Sequence, residues 1–268
     1  MRHVALTIRT EDLNQVLDRL LPITPQGVHS HELDDDRLEL SVYGDAPGRA
    51  ELESAAGAAL LASEETEADD DPERRRLQAH GRRPPIGGRV VVRPEGAPEA
   101  GPGLLDVVLR DEGGAFGAGT HPTTVMCIEF LLGLEPGGPF ADLGCGTGVL
   151  AIVAAKLGWA PLIALDHEPV ALVATDFNAG LNGVPVDAMQ ADLTAIPPPP
   201  APTLAANVPI KVHEVIAARL APETRTVLVS GILDEHVPGV VEAYARAGFR
   251  PAGQKVVRSW AAALLVRP

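Results

Sequence analysis

The 268 residues are 46% hydrophobic and 22% charged, enough apolar content for the core of one large domain and a small one. A formal net charge of −14 argues against a general nucleic-acid binder, which needs clustered Lys and Arg to meet phosphates. The two cysteines, Cys127 and Cys145, supply neither a disulfide framework nor a four-thiolate zinc site, so a cytoplasmic setting is expected.

Along the chain, Val4, Leu6 and Ile8 alternate as in a strand, and Leu13, Val16, Leu17 and Leu20 repeat at helical spacing. This first stretch meets Arg9, Glu11 and Asp12 too early to contain the apolar core of a signal peptide. No run of about 18 apolar residues follows, so no membrane segment is expected. Leu38, Leu40 and Val42 alternate up to the turn Tyr43-Gly44-Asp45, and Glu51 to Leu61, rich in Ala, is predicted helical. Residues 1–62 thus form a small α+β domain. Residues 63–85 carry Glu64-Glu65, Asp69-Asp70-Asp71, Arg74-Arg75-Arg76 and Arg82-Arg83. Such charge blocks mark a solvated linker, with a partner-docking segment as the alternative.

Residues 86–268 read as the main domain. Strands are predicted at Gly87 to Pro94 and Leu104 to Leu109, and from Phe140 onward strands and helices alternate. Strands fall near 139–143, 161–166, 203–206, 225–230, 249–257 and 260–266, and helices near 147–158, 168–182, 211–220 and 235–247. A short strand also precedes Asp192. This alternation predicts an α/β fold with a parallel sheet covered on both faces. The last two strands are too close in sequence for a parallel crossover and are expected to form an antiparallel hairpin.

The most informative stretch is Phe140-Ala141-Asp142-Leu143-Gly144-Cys145-Gly146-Thr147-Gly148-Val149-Leu150. A strand enters a turn whose three glycines allow close backbone approach, and a helix then opens with free N–H groups facing the turn. The dinucleotide fingerprint G-x-G-x-x-G needs a glycine where Val149 stands, which weakens a nicotinamide dehydrogenase reading. Asp142 sharpens the distinction: a carboxylate repels a pyrophosphate and attracts the ammonium and sulfonium charges of S-adenosyl-L-methionine. Asp166, at the end of the next strand, offers two oxygens to two ribose hydroxyls, or else caps the helix after it. Asp192 is placed to meet an adenine amino group, or else serves a turn.

These residues resemble a known family. The glycine loop, residues 116–124 (Phe116-Gly117-Ala118-Gly119-Thr120-His121-Pro122-Thr123-Thr124), the stretch from Asp166 to Asn182-Gly183-Val184, and Ser230-Gly231-Ile232-Leu233 are similar to the PrmA-type methyltransferases. That family methylates the stalk-base protein of the large ribosomal subunit. The likeness covers about residues 113–268. It implies a seven-stranded class I methyltransferase sheet, Rossmann-like, with an antiparallel C-terminal hairpin and a small N-terminal α+β domain for substrate recognition. It also implies that residues 116–124 close over the methionine end of the cofactor, with Thr120 and Thr124 as hydrogen-bonding groups. His121 reads equally as a catalytic group and as a helix cap.

Asn207, in Ala205-Ala206-Asn207-Val208-Pro209-Ile210, resembles the Asn of the Asn-Pro-Pro-aromatic motif of amino-group methyltransferases. Its side-chain oxygen and the backbone carbonyl of Val208 can accept hydrogen bonds from an incoming amine, and Asn207 also borders the cofactor; the alternative is a helix cap. Ile210 occupies the aromatic position, so a flexible amine fits better than a planar base. The expected cofactor set is therefore Thr120, Thr124, Asp142, Gly144, Gly146, Gly148, Asp166, Asp192 and Asn207, with Asn207 and Val208 at the reaction centre and no metal. A general base among His121, His213 and Glu214 is left open. The chain departs from the family pattern in lacking tryptophans in residues 63–110. The expected substrate is a ribosomal protein. A small-molecule amine is the alternative, and a silent binding protein is disfavoured by the joint presence of the site residues.

Overall fold

The computed structural model describes residues 2–24, 28–32, 36–43, 47–67, 84–110, 119 and 121–268. It divides into two compact units, Met1–Arg76 and Leu77–Pro268.

The first unit runs β1 (Arg2–Arg9), α1 (Leu13–Leu20), β2 (His29–Glu32), β3 (Arg37–Tyr43), α2 (Arg49–Ala56) and β4 (Leu60–Glu67). Its antiparallel sheet has the order β2-β3-β1-β4, the ferredoxin-like β-α-β-β-α-β arrangement. Val4, Leu6 and Ile8 of β1 and Leu38, Leu40 and Val42 of β3 point to one face, where Val16, Leu20 and Leu52 complete the core. The helix predicted from Glu51 to Leu61 stops at Ala56, because Gly57 takes φ +60°. Leu60 to Glu67 instead pairs with β1. Charge had suggested that residues 63–67 begin a linker, yet they end an edge strand. Exposed Glu64 and Glu65 suit such an edge, where charge discourages pairing with another chain. The rest of the expected linker, through residue 83, lies outside the described residues.

The second unit opens with β5 (Val90–Pro94) and β6 (Leu105–Leu109), paired in parallel. Arg93 and Asp106 lock this pair with two 2.8 Å hydrogen bonds. Then come α3 (Pro122–Leu131), β7 (Phe140–Leu143), α4 (Val149–Leu157), β8 (Leu162–Asp166), α5 (Pro169–Leu181), β9 (Asp187–Gln190), β10 (Thr203–Asn207), α6 (Ile210–Ala218), β11 (Thr226–Leu233), α7 (Val237–Arg246), β12 (Arg250–Val257) and β13 (Trp260–Val266). Seven strands form one sheet in the order β12-β13-β11-β10-β7-β8-β9. Strands β9 to β11 in that order are mutually parallel, and β13 runs antiparallel to both β11 and β12.

Alternation along the buried strands supplies two apolar faces. Phe140, Ala205 and Leu228 face a layer containing α3 and α4. Ala141, Leu143, Leu204, Ala206 and Val229 face α6 and α7 through Ile216, Val240 and Tyr244. The chain leaves β7 toward β8 on one side and returns to β10 on the other. A crevice opens at the carboxyl ends of the strands where such a reversal occurs.

Candidate functional site

The reversal point is also where the glycine turn lies. Gly144 has φ +74°, and a Cβ placed there would stand 2.5 Å from Val208 Cγ1. Only glycine lets this turn approach the end of β10 so closely. The Gly144 and Cys145 N–H groups donate to Leu165 O at 2.7 and 3.0 Å, stitching the turn to β8. From behind, the Thr175 hydroxyl and the Asn178 amide of α5 donate to Gly146 O and Thr147 O.

This packing leaves a cavity of about 550 Å³, within the range of small-ligand sites. Of the expected residues, Gly144, Gly146, Asp166, Asp192, Asn207 and Val208 line it. Asp166 is held on both oxygens: Oδ2 accepts from Gly146 N–H at 3.0 Å and Oδ1 from Glu168 N–H at 3.1 Å. The carboxylate is thereby fixed in direction with lone pairs left over. Asp192 is exposed at the cavity edge. Its Oδ1 accepts from the Thr194 hydroxyl at 2.6 Å and Thr194 N–H at 2.8 Å, and the hydroxyl bond leads in holding its pKa below the usual range. It is a turn residue as well as a wall residue.

Thr124, Asp142 and Gly148 are placed otherwise. Asp142 is 1% exposed and lies behind the loop rather than in the cavity wall. Its Oδ2 accepts from Ala151 N–H at 3.1 Å, in the first turn of α4. Its Oδ1 has no hydrogen-bond partner among the described residues. Burial pushes its pKa up to about 7, because a dry site penalises the charged form. Thr124 is likewise buried, with Oγ1 unpartnered among the described residues, and Gly148 begins α4 beneath the wall. Thr120 lies outside the described residues.

At the other end, Asn207 ends β10, and its Oδ1 is buried without a partner among the described residues. The helix-cap alternative fails, because the N-cap of α6 is Pro209 and the Asn207 side-chain oxygen bonds none of its N–H groups. Val208 N–H donates to Ser230 O at 3.2 Å. Gly231, at φ +81°, packs so closely that a Cβ would lie 2.6 Å from Val208 O.

Among the wall residues absent from the expected set are His121 and Trp260. The His121 ring meets Trp260 edge-on, centroids 4.8 Å apart, and both line the cavity. His121 also caps α3: its Nδ1 accepts from Thr123 N–H. Burial lowers its pKa. Trp260 gave no sequence signal, because the strand that carries it is threaded between β11 and β12 only in the fold. Of the other candidate bases, His213 faces the interior and Glu214 is exposed; neither lines the cavity. The thiols of Cys127 and Cys145 are buried, with pKa pushed up to about 12, and are chemically quiet.

Strand order, a glycine turn after the strand at the reversal point and an acid ending the next strand together define the class I methyltransferase fold. The profile of the family described as "Ribosomal protein L11 methyltransferase (PrmA)" matches residues 81–268, and the chain belongs to that family. A ribosomal protein L11 methyltransferase of Symbiobacterium thermophilum is 38% identical over 192 residues, covering 68% of this chain and 62% of the relative. That of Chloroflexus aurantiacus is 36% identical over 214 residues, covering 68% and 65%. The chain thus matches somewhat less than two thirds of these relatives' lengths. The crystal structure of a ribosomal protein L11 methylase from Lactobacillus delbrueckii subsp. bulgaricus superposes with a TM-score of 0.58 at 24% identity, covering 67% of this chain and 95% of that one. This likeness concerns the fold. No described helix is long and apolar enough to cross a membrane.

Proposed function

We propose that this chain is an S-adenosyl-L-methionine-dependent methyltransferase that methylates amino groups of a ribosomal protein, the large-subunit stalk-base protein L11, in the cytoplasm. One observation carries the reading. A carboxylate fixed for two hydroxyls, Asp166, and a buried amide oxygen in need of a donor, Asn207 Oδ1, face one cavity from opposite sides of the reversal point. The family relationship supports the substrate class.

The residues fit such a cofactor. Asp166 would hold the ribose hydroxyls, Asp192 and the flanking Ala191 and Leu193 the adenine, and the backbone at Gly144 and Gly146 the methionine portion. Asp142 and Thr124, each with an unpartnered buried oxygen, lie behind that portion. When bound, S-adenosyl-L-methionine supplies a methyl group on a sulfonium that needs no further activation.

The protein's task is orientation and a neutral amine. Asn207 Oδ1 and Val208 C=O accept the amine hydrogens and aim its lone pair into the cavity; fixing two reactants in this way is worth about 7–11 kcal/mol. A lysine of pKa ~10.4 is neutral about one part in a thousand near pH 7.4, a deficit of ~4 kcal/mol. Desolvation against Trp260, Val208 and Val212 reduces it. The first unit, whose sheet ends with β4 at Glu67, is assigned to recognition of the protein substrate, and residues 86–268 to methyl transfer.

Incubation with labelled S-adenosyl-L-methionine, with and without purified ribosomal protein L11, tests the proposal. Label on L11 is expected. Cofactor binding without transfer, or label only on a soluble amine, would refute the assigned substrate.

A further inference from the structure

The interior beneath the acceptor end holds a titratable pair that the chemistry above does not use. His213, on α6, and Tyr244, on α7, are both 0% exposed. His213 Nε2 lies 2.8 Å from Ser230 O. A carbonyl only accepts, so Nε2 carries the proton and Nδ1 is an acceptor, satisfied by the Tyr244 hydroxyl at 3.3 Å. The same Ser230 carbonyl accepts from Val208 N–H at 3.2 Å.

Ser230 stands where the pairing of β11 with β13 breaks, between Val229 and Ile232. Its carbonyl is thereby available to β10 and α6, while its hydroxyl spans the break to Ala261 O at 3.0 Å. Gly231 follows and presses on the Val208 peptide. We infer that His213, braced by Tyr244, is a positioning residue: its ring fixes the Ser230 carbonyl and, through the Val208 N–H bound to that carbonyl, sets where the Val208 carbonyl and Asn207 amide meet the acceptor amine.

A leucine would fill a helix–sheet interface at this place without desolvating two ring nitrogens. Burial drives the His213 pKa down to about 4, so the ring stays neutral and its hydrogen-bond polarity is constant across the neutral range. A neutral ring with one donor and one acceptor suits a brace and is remote from proton exchange with the cavity.

The inference rests on the methyl-transfer reading, and two measurements keep them separable. The first is amide exchange at Val208, read by NMR on the intact chain. His213→Leu is expected to speed it by roughly tenfold or more, with most other amides unchanged. The second is steady-state transfer from labelled S-adenosyl-L-methionine to ribosomal protein L11. His213→Leu is expected to lower kcat by roughly 10²-fold, since a displacement of about 1 Å suffices for that, with KM for the cofactor within about twofold. His213→Gln, whose amide can donate to Ser230 O, is expected to recover much of kcat, and Tyr244→Phe to lose less than His213→Leu. A general packing defect would move neither kcat alone nor the Gln rescue. Unchanged Val208 exchange in a folded His213→Leu or Tyr244→Phe protein, or a His213→Gln variant no better than Leu, overturns the brace. A wild type that transfers no label overturns the methyl-transfer reading, and the exchange experiment still decides the brace.

Discussion

At the β7–β8 end of the cavity, each contact joins groups that the glycine loop and the next strand bring together: Leu165 O to Gly144 and Cys145, and Asp166 to Gly146 and Glu168. At the β10–β11 end, the turn at Val208 is shaped by groups from separate elements, Gly144, Ser230 and Gly231, with His213 on the Ser230 carbonyl. The first is a local motif that would hold a ligand. The second is a tertiary construction that would place a reacting atom. Substitutions at the first should therefore change affinity or ionisation, and substitutions at the second should change turnover.

The largest expected effect belongs to Asp142. Its folded pKa, about 7, is above the unfolded value of 3.8, so the stability of the protonated form is complete below pH 3.8 and is lost as pH rises through 7. Between pH 4 and pH 8, denaturant titrations should shift the stability difference in favour of Asp142→Asn over wild type by up to roughly 4 kcal/mol. A pH-independent difference would mean the buried carboxyl ionises as easily as an exposed one.

Asn207→Ala should lower kcat by roughly 10²- to 10³-fold with little change in cofactor affinity, the signature of an interaction made in the transition state. Equal loss in cofactor binding would move Asn207 to the other side of the comparison. Asp166→Ala should do the reverse, weakening S-adenosyl-L-methionine binding by about 1.5–3 kcal/mol through lost charged hydrogen bonds, as read by calorimetry. Wild-type affinity in that variant would separate Asp166 from the ribose. The smallest effect is that of Thr175→Val, which leaves Gly146 O without its side-chain donor and should lower stability by about 1 kcal/mol. Its consequence should appear in cofactor affinity rather than kcat.

How much of this was legible beforehand follows the same division. The helices and strands after Phe140 stood in the apolar pattern to within a few residues, because short apolar runs between turn signals, such as Leu162-Ile163-Ala164-Leu165, read as buried strands and the longer runs as helices. The edge strand β4 was not legible: Glu64 and Glu65 look like linker residues until β1 supplies the hydrogen bonds that make them a rim. The placement of Asp142 was not legible either. A carboxylate next to a glycine turn looks like a ligand group. The pleat instead turns it behind the loop, where it serves Ala151 N–H.

The sequence by itself determined the glycine turn, the acid that ends the following strand and the residues Asn207-Val208. Each depends on neighbours within a strand–turn–helix segment, whose geometry is dictated by backbone freedom and alternation. Only the tertiary structure decided that β13 enters between β11 and β12, that Trp260 and His121 share a wall, and that His213 and Gly231 set the Val208 turn. These are contacts between segments 17 to 139 residues apart, and no local pattern specifies them because packing selects the partner after the elements have formed.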